Sequence, residues 1–114
     1  MNKEPRIFLE HIMEAVNLVE SFTRNGPKEK FFKDKLVQSG VIRQMEVIGE
    51  AVKNLPLDFV NRYPQVPWGN IAKMRDKLIH NYFGVNLEIT YKVVKEELPK
   101  LKEQVSKILK ELSS

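Results

Sequence analysis

The stretch LEITYKVVKEELPKLKEQVSKILKEL, residues 87–112, decides the fold. Its apolar residues recur at alternating spacings of four and three, so they form one narrow seam of the coiled-coil type along a helix. The seam consists of Leu87, Tyr91, Val94, Leu98, Leu101, Val105, Ile108 and Leu112. Asn86 is a good N-cap for this helix, and Pro99 should bend it. The lysines of the stretch alternate with glutamates, which is typical of a solvated helix face.

The rest of the chain repeats this helical periodicity. We predict further helices over residues 5–24, 28–38, 41–55 and 68–80 or 68–82, with Ser39 and Gly40 ending the second of them. In the first helix the apolar stripe is Phe8, Ile12, Ala15, Val19 and Phe22. Gly49 lies in the apolar stripe of the third helix, where it indicates a close approach of two helices. The prolines between residues 55 and 68 indicate a connector with one helical turn at residues 58–62. Together these elements predict an all-α, up-and-down bundle of four to five helices in a single domain over residues 1–114.

The composition restricts the classes of protein that fit. The chain has 114 residues, of which 42% are hydrophobic and 30% are charged, as in an ordinary globular domain. It contains no cysteine, which excludes disulfides and thiolate chemistry. We find no signal-peptide pattern, no membrane-spanning stretch and no convincing metal-ligand spacing, so we expect a cytoplasmic protein without metal or cofactor. The net charge of +4 permits a polyanionic partner.

Arg75 is the residue that packing alone does not explain. At about 100° per residue it lies at the centre of the apolar stripe of the fourth predicted helix. A guanidinium that faces a core is costly unless it is paired, because it cannot lose its proton. Two interpretations stay open: a buried ion pair with Glu46 or Glu50 of the third helix, or an arginine held at the floor of a cleft to receive an anion such as phosphate.

His80 is the natural proton-transfer group near Arg75, because only histidine has an unperturbed pKa near neutrality. A histidine that simply gains from the dipole at a helix end is the alternative. On a straight helix His80 would point about 140° away from Arg75, nearer to Lys73 and Lys77. The two side chains can therefore share a site only if the helix unwinds near His80 or if a second copy of the chain completes the site.

The segment RDKLIHNY, residues 75–82, carries an Arg-x4-His-x-Tyr signature. With it the chain resembles the HEPN-domain family, specifically the small toxin-like (HepT-like) branch that is paired with minimal nucleotidyltransferases. The resemblance runs from about residue 41 to residue 83, and the motif positions show no departure. Further matching positions are Ile48-Gly49-Glu50-Ala51, Tyr63-Pro64, Pro67-Trp68, Ile71, Met74 and Phe83.

The resemblance implies a homodimer that brings two copies of the motif to a shared cleft. It also implies a metal-independent endoribonuclease in which the RNA 2′-hydroxyl attacks the adjacent phosphate. His80 would transfer protons and Arg75 would stabilise charge on the phosphate oxygens. Asp76 and Glu50 are expected to support the site. Lys73 and Lys77 are expected to attract the RNA backbone.

The resemblance further implies a cognate nucleotidyltransferase antitoxin that transfers nucleoside monophosphate, as in AMPylation, to Tyr82. Because Arg75 and Tyr82 are two helical turns apart, an adduct on the tyrosine would occupy the pocket that the arginine offers to RNA. Two other functions remain open. One is a non-catalytic module that binds nucleotide or works with a nucleotidyltransferase; the other is a structural helical dimer in which Arg75 pairs with Glu50.

Overall fold

The computed structural model of the chain describes residues 4–24, 28–74, 76 and 86–113. All regular structure within these ranges is helical, which confirms the predicted all-α class. The helices are α1 (Pro5–Thr23), α2 (Lys28–Lys33), α3 (Lys35–Lys53), α4 (Leu57–Arg62), α5 (Trp68–Ala72), α6 (Leu87–Lys92) and α7 (Leu98–Ser113). A π-helical segment, Val93–Glu97, joins α6 to α7, and we refer to residues 87–113 together as the C-terminal helix. In the described ranges none of the helices combines the length and the apolar content that crossing a bilayer requires.

Helix α1 packs against both α3 and α7 and runs antiparallel to each. Phe22, near the end of α1, lies against Gly40 near the start of α3. Arg6, at the start of α1, donates a hydrogen bond of 2.8 Å to the hydroxyl of Ser113 at the end of α7. Lys102 of α7 reaches back to both carboxylate oxygens of Glu20 at 3.0 and 3.3 Å. These contacts give the up-and-down arrangement that the sequence predicts.

The buried face of α1 agrees only in part with the predicted stripe. Ile12, Ala15 and Val19 are buried as expected. Phe8 is half-buried, and Phe22 remains 39% exposed, so its assignment to the core is wrong. The core instead includes the residues on the other edge of the stripe, Leu9 and Val16, both fully buried.

The boundary between α2 and α3 lies earlier than predicted. The Asp34 carboxylate accepts hydrogen bonds from the backbone N–H groups of Leu36 and Val37 at 3.0 and 3.1 Å, so Asp34 is the N-cap of α3. Gly40 therefore lies inside a helix and does not end one, as the sequence had suggested. A methyl group there would come within 3.1 Å of the Phe22 ring, which shows that the glycine allows close packing of α1 on α3.

The C-terminal helix accommodates Pro99 through the π-helical segment that precedes it. In a regular α-helix the Pro99 ring would clash with the carbonyl of Lys95, and that carbonyl would lose its donor. In the structure the N–H of Leu98 donates instead to the carbonyl of Val93, five residues earlier. The wider turn buries two consecutive residues, Val93 and Val94. The seam predicted from four-three spacing therefore changes phase within the π-helical segment.

Candidate functional site

The helix that leads into the motif is interrupted just before it. Helix α5 ends at Ala72, and Lys73 adopts φ −100° and ψ 9°, outside the helical region. Met74 and Asp76 are helical again, and the N–H of Asp76 donates to the carbonyl of Lys73 at 3.0 Å. The prediction of one unbroken helix from Trp68 onward is therefore wrong at Lys73. Because a regular turn of 100° per residue does not hold across Lys73, positions before it give no direct measure of where later side chains point.

Close packing against α3 accompanies this interruption. A Cβ on Gly49 would lie only 3.2 Å from the carbonyl oxygen of Ala72, the last residue of α5. This confirms the prediction that Gly49 marks a close approach of two helices. No side chain larger than hydrogen fits there without moving a backbone group, so Gly49 sets the distance between α3 and the end of α5.

The connector before α5 anchors that helix through aromatic packing. Trp68 is buried, and its indole N–H donates to the backbone carbonyl of Tyr63 at 3.0 Å. The Phe59 ring lies 5.1 Å from Tyr63 and 6.4 Å from Trp68, measured between ring centroids. The Tyr63 hydroxyl donates to the carboxylate of Glu111 at 2.9 Å. Partial burial first, and then this hydrogen bond, raise the pKa of Tyr63 above its usual value of 10.0.

Glu50 occupies a surface position on α3. Its side chain is 71% exposed and lies 3.6 Å from the ammonium of Lys53, an exposed pair of the kind that contributes little to stability. An exposed glutamate does not supply the buried carboxylate that an ion pair with Arg75 inside the core would require. Glu46, one turn earlier on the same helix, is half-buried.

Lys73 and Asp76 are both exposed, on either side of the point where the helix resumes. The remaining predicted site residues, Arg75, Lys77, His80 and Tyr82, lie outside the described residues. His11, the other histidine of the chain, is exposed on α1 and meets the Phe8 ring edge-on at 6.4 Å.

Two described residues that flank the motif in the chain, Met74 and Asn86, have defined contacts. On the N-terminal side Met74 is buried in the core. On the C-terminal side the Asn86 side chain accepts a hydrogen bond from the N–H of Ile89 at 3.0 Å, which confirms the predicted N-cap. The Asn86 backbone carbonyl also accepts a 2.7 Å hydrogen bond from the buried Thr90 hydroxyl.

A cavity lies beside Met74, between α5 and the C-terminal helix, and no sequence pattern predicts it. Its lining combines residues from two segments that are about 30 positions apart in the chain, so no local pattern could reveal it.

The lysines of the C-terminal helix also differ from a simple solvated face. Lys107 pairs with Glu103 on its own helix at 3.3 Å, as predicted, whereas Lys102 crosses to Glu20 of α1.

Comparison with known proteins identifies relatives that match almost the whole chain. The model of one protein family, described as HepT-like (Ribonuclease HepT-like), matches residues 12–108. Over 110 residues the chain is 48% identical to "Probable ribonuclease HepT" of Thermococcus cleftensis, covering 96% of this chain and 100% of that protein. Over 107 residues it is 45% identical to a protein named "Putative RNase" of Caldanaerobacter subterraneus subsp. tengcongensis, covering 94% of this chain and 96% of that protein.

A longer relative also matches. The chain is 48% identical over 112 residues to "Gamma-glutamylcyclotransferase and putative RNase" of Methanocaldococcus jannaschii. That alignment covers 98% of this chain but 50% of the relative, so the chain spans about half of that protein's length. No solved structure matches the chain.

Proposed function

The chain belongs to the HepT-like ribonuclease family, and we propose that it acts as a metal-independent endoribonuclease toxin of a HEPN/nucleotidyltransferase toxin–antitoxin pair. One observation carries this proposal: the family match over residues 12–108 includes an intact Arg-x4-His-x-Tyr motif at Arg75, His80 and Tyr82. We further propose that residues 1–114 form a single HEPN-like domain and that two copies of the chain form the active dimer.

The proposed reaction is an internal transesterification of RNA. The 2′-oxygen attacks the adjacent phosphorus, a 2′-O–P bond forms, and the P–O bond to the 5′-oxygen of the next nucleotide breaks. One His80 accepts the proton of the 2′-hydroxyl, and the His80 of the second copy donates a proton to the departing 5′-oxygen. The products are a 2′,3′-cyclic phosphate and a 5′-hydroxyl.

Arg75 stabilises the charge that develops on the non-bridging phosphate oxygens during this reaction. Asp76 and Glu50 support the site, and Lys73 and Lys77 attract the RNA backbone. The exposure of Lys73 and Asp76, directly beside the motif, supports these two assignments. The exposure of Glu50 favours a supporting role at the edge of the site over a buried ion pair.

Regulation is proposed to act through Tyr82. The cognate nucleotidyltransferase transfers the nucleoside monophosphate unit of a nucleoside triphosphate to the Tyr82 hydroxyl: the hydroxyl loses its proton, a bond forms between the tyrosine oxygen and the α-phosphorus, the bond between the α- and β-phosphates breaks, and pyrophosphate leaves. The added phosphate competes with RNA for Arg75. Both the adduct and the substrate phosphate are anions, so one arginine can receive either of them.

RNA cleavage in EDTA tests the proposal directly. Wild type is compared with Arg75→Ala and His80→Ala after intact mass has confirmed that Tyr82 carries no adduct. The chain offers matched controls in His11→Ala and Arg43→Ala, which remove the same side chains from exposed positions on α1 and α3. Fluorescence of Trp68, the single tryptophan, verifies that each variant is folded.

We expect cleavage with cyclic-phosphate ends from wild type and both controls, and at least a hundredfold loss from both motif variants. Full activity of a folded His80→Ala would refute the catalytic assignment. Tight nucleotide binding without cleavage of any RNA class would instead indicate a non-catalytic binding module.

A further inference from the structure

A cavity of about 320 Å³ opens between α5 and the C-terminal helix. Its floor consists of side chains that are at most 5% exposed: Ile71, Met74, Val93 and Leu101. The recess opens to solvent, and its volume lies at the lower end of the range of about 300–1,000 Å³ that is typical of small-molecule sites. Sites for small ligands have this construction, with an apolar lining and a few polar groups that fix orientation.

The mouth of the cavity carries those polar groups. Asn70 lines it from α5, and Glu97, Lys100 and Gln104 line it from the C-terminal helix. The Gln104 amide donates to the backbone carbonyl of Gln65 at 3.1 Å, which fixes this side chain and leaves its oxygen as an acceptor. Among the described residues, no hydrogen bond or ion pair engages the side chains of Asn70, Glu97 or Lys100. They are therefore available to a ligand.

The cavity adjoins the motif along the chain. Met74, on the floor, directly precedes Arg75, and consecutive Cα atoms are about 3.8 Å apart. Asn70, at the mouth, lies five positions before Arg75. A group bound in the cavity would therefore lie close along the chain to the residue proposed to hold the phosphate.

We propose that this cavity binds one nucleobase of the RNA substrate, next to the phosphate that is cleaved. The inference rests on the proposed ribonuclease function and names the nucleotide class that the site prefers. The base stacks against the apolar floor, the polar side chains at the mouth bind its edge, and Lys100 faces the backbone phosphate.

The chemistry of the mouth selects among the bases. The Glu97 carboxylate only accepts hydrogen bonds, so it favours a base that presents an exocyclic amino group: adenine, cytosine or guanine. Uracil presents two carbonyl oxygens around a single N–H, and a carbonyl oxygen beside a carboxylate is repulsive. Asn70 adds both a donor and an acceptor, which suits an amino group adjacent to a ring nitrogen.

Nucleotide binding to the full chain, measured without cleavage, tests this inference. The probes are the 5′-monophosphates of adenosine, cytidine, guanosine and uridine, together with ribose 5-phosphate as a phosphate without a base. NMR signals of the Asn70 and Gln104 side-chain amides report binding at the cavity itself. Glu97→Ala removes the acceptor, and Glu103→Ala, on the same helix but outside the cavity, is its matched control.

We expect the amino-bearing nucleotides to bind about tenfold more tightly than uridine monophosphate or ribose 5-phosphate. Glu97→Ala should abolish that preference and Glu103→Ala should retain it. Equal binding of ribose 5-phosphate, equal effects of the two variants, or unmoved amide signals at millimolar nucleotide would overturn the inference.

The two proposals fail separately in these experiments. A chain that discriminates between bases but cleaves no RNA would refute the ribonuclease function while it supports the cavity assignment. A chain that cleaves RNA without any discrimination at the cavity would refute only the base site.

Discussion

Replacing Gly49 by alanine should weaken the fold and disturb the approach to the motif. The new Cβ would lie 3.2 Å from the Ala72 carbonyl oxygen and 3.7 Å from the Ile71 carbonyl oxygen. These are backbone atoms at the end of α5, so relief of the contact requires the helix to move. Alanine in a helix interior is favoured over glycine by about 0.5–1 kcal/mol, whereas overpacking a well-packed contact costs about 1–3 kcal/mol. The net expectation is a loss of about 0–2.5 kcal/mol in the free energy of unfolding, centred near 1 kcal/mol.

Two other glycines provide the controls. A Cβ on Gly69 would meet no atom within 4 Å, so Gly69→Ala should stabilise the chain by a few tenths to about 1 kcal/mol. A Cβ on Gly40 would come within 3.1 Å of Phe22, whose partly exposed ring can shift, so Gly40→Ala should change stability by less than about 1 kcal/mol. Urea unfolding followed by Trp68 fluorescence measures all three variants.

The order of the three unfolding free energies tests whether the close approach of α3 and α5 excludes a side chain at position 49. Gly49→Ala should be the least stable, and if it equals or exceeds Gly69→Ala the close approach of α3 and α5 is not a constraint. If the position of α5 also sets the geometry of the motif, Gly49→Ala should reduce RNA cleavage at temperatures where the variant remains folded.

Three further predictions follow from single contacts. Asp34→Ala removes the N-cap of α3 and should cost about 1 kcal/mol of unfolding free energy, whereas Asp34→Asn, which can still cap, should cost less. The raised pKa of Tyr63 means that the folded state favours the neutral phenol, so the free energy of unfolding should fall as pH rises above 10.0. Tyr63→Phe should lose that dependence, and an unchanged alkaline profile would argue against a raised pKa of Tyr63. A double-mutant cycle on Glu20 and Lys102 should give a coupling of about 0.5–1 kcal/mol that shrinks at high salt, and a coupling that salt leaves unaltered would contradict a solvent-screened ion pair.

Residues that act through local rules were predictable from the sequence. Gly49 in an apolar stripe indicated a close helix contact, and Asn86 before a periodic segment indicated an N-cap; the structure confirms both. The all-α class followed from periodicity in the same way. The Asp34 cap shows the limit of such reasoning, because Ser39-Gly40 gave an equally strong local stop signal. In the structure Asp34 caps α3, and Gly40 lies inside the helix against Phe22, a contact between helices that local sequence does not encode.

The candidate site was predictable in its residue types and less so in its geometry. The resemblance identified Arg75, His80 and Tyr82, whose chemistry remains a proposal. The prediction of one unbroken helix from Trp68 onward was wrong because Lys73 lies outside helical φ and ψ. The cavity beside Met74 was invisible for a different reason, since it depends on how α5 packs against a distant helix.

The π-helical segment also has an evolutionary consequence. A π turn contains one residue more than an α turn, so the C-terminal helix has one residue more than a regular α-helix with the same number of turns. Deleting one position between residues 93 and 97 would convert the π turn into an α turn. If Pro99 were replaced as well, α6 and α7 could both keep their packing against the rest of the protein. Losing one position within α7 would rotate every later side chain by about 100° and turn Val105 and Ile108 out of the core. Insertions and deletions among relatives should therefore concentrate at this turn. The sequences of their C-terminal helices should be aligned separately before and after the π-helical segment.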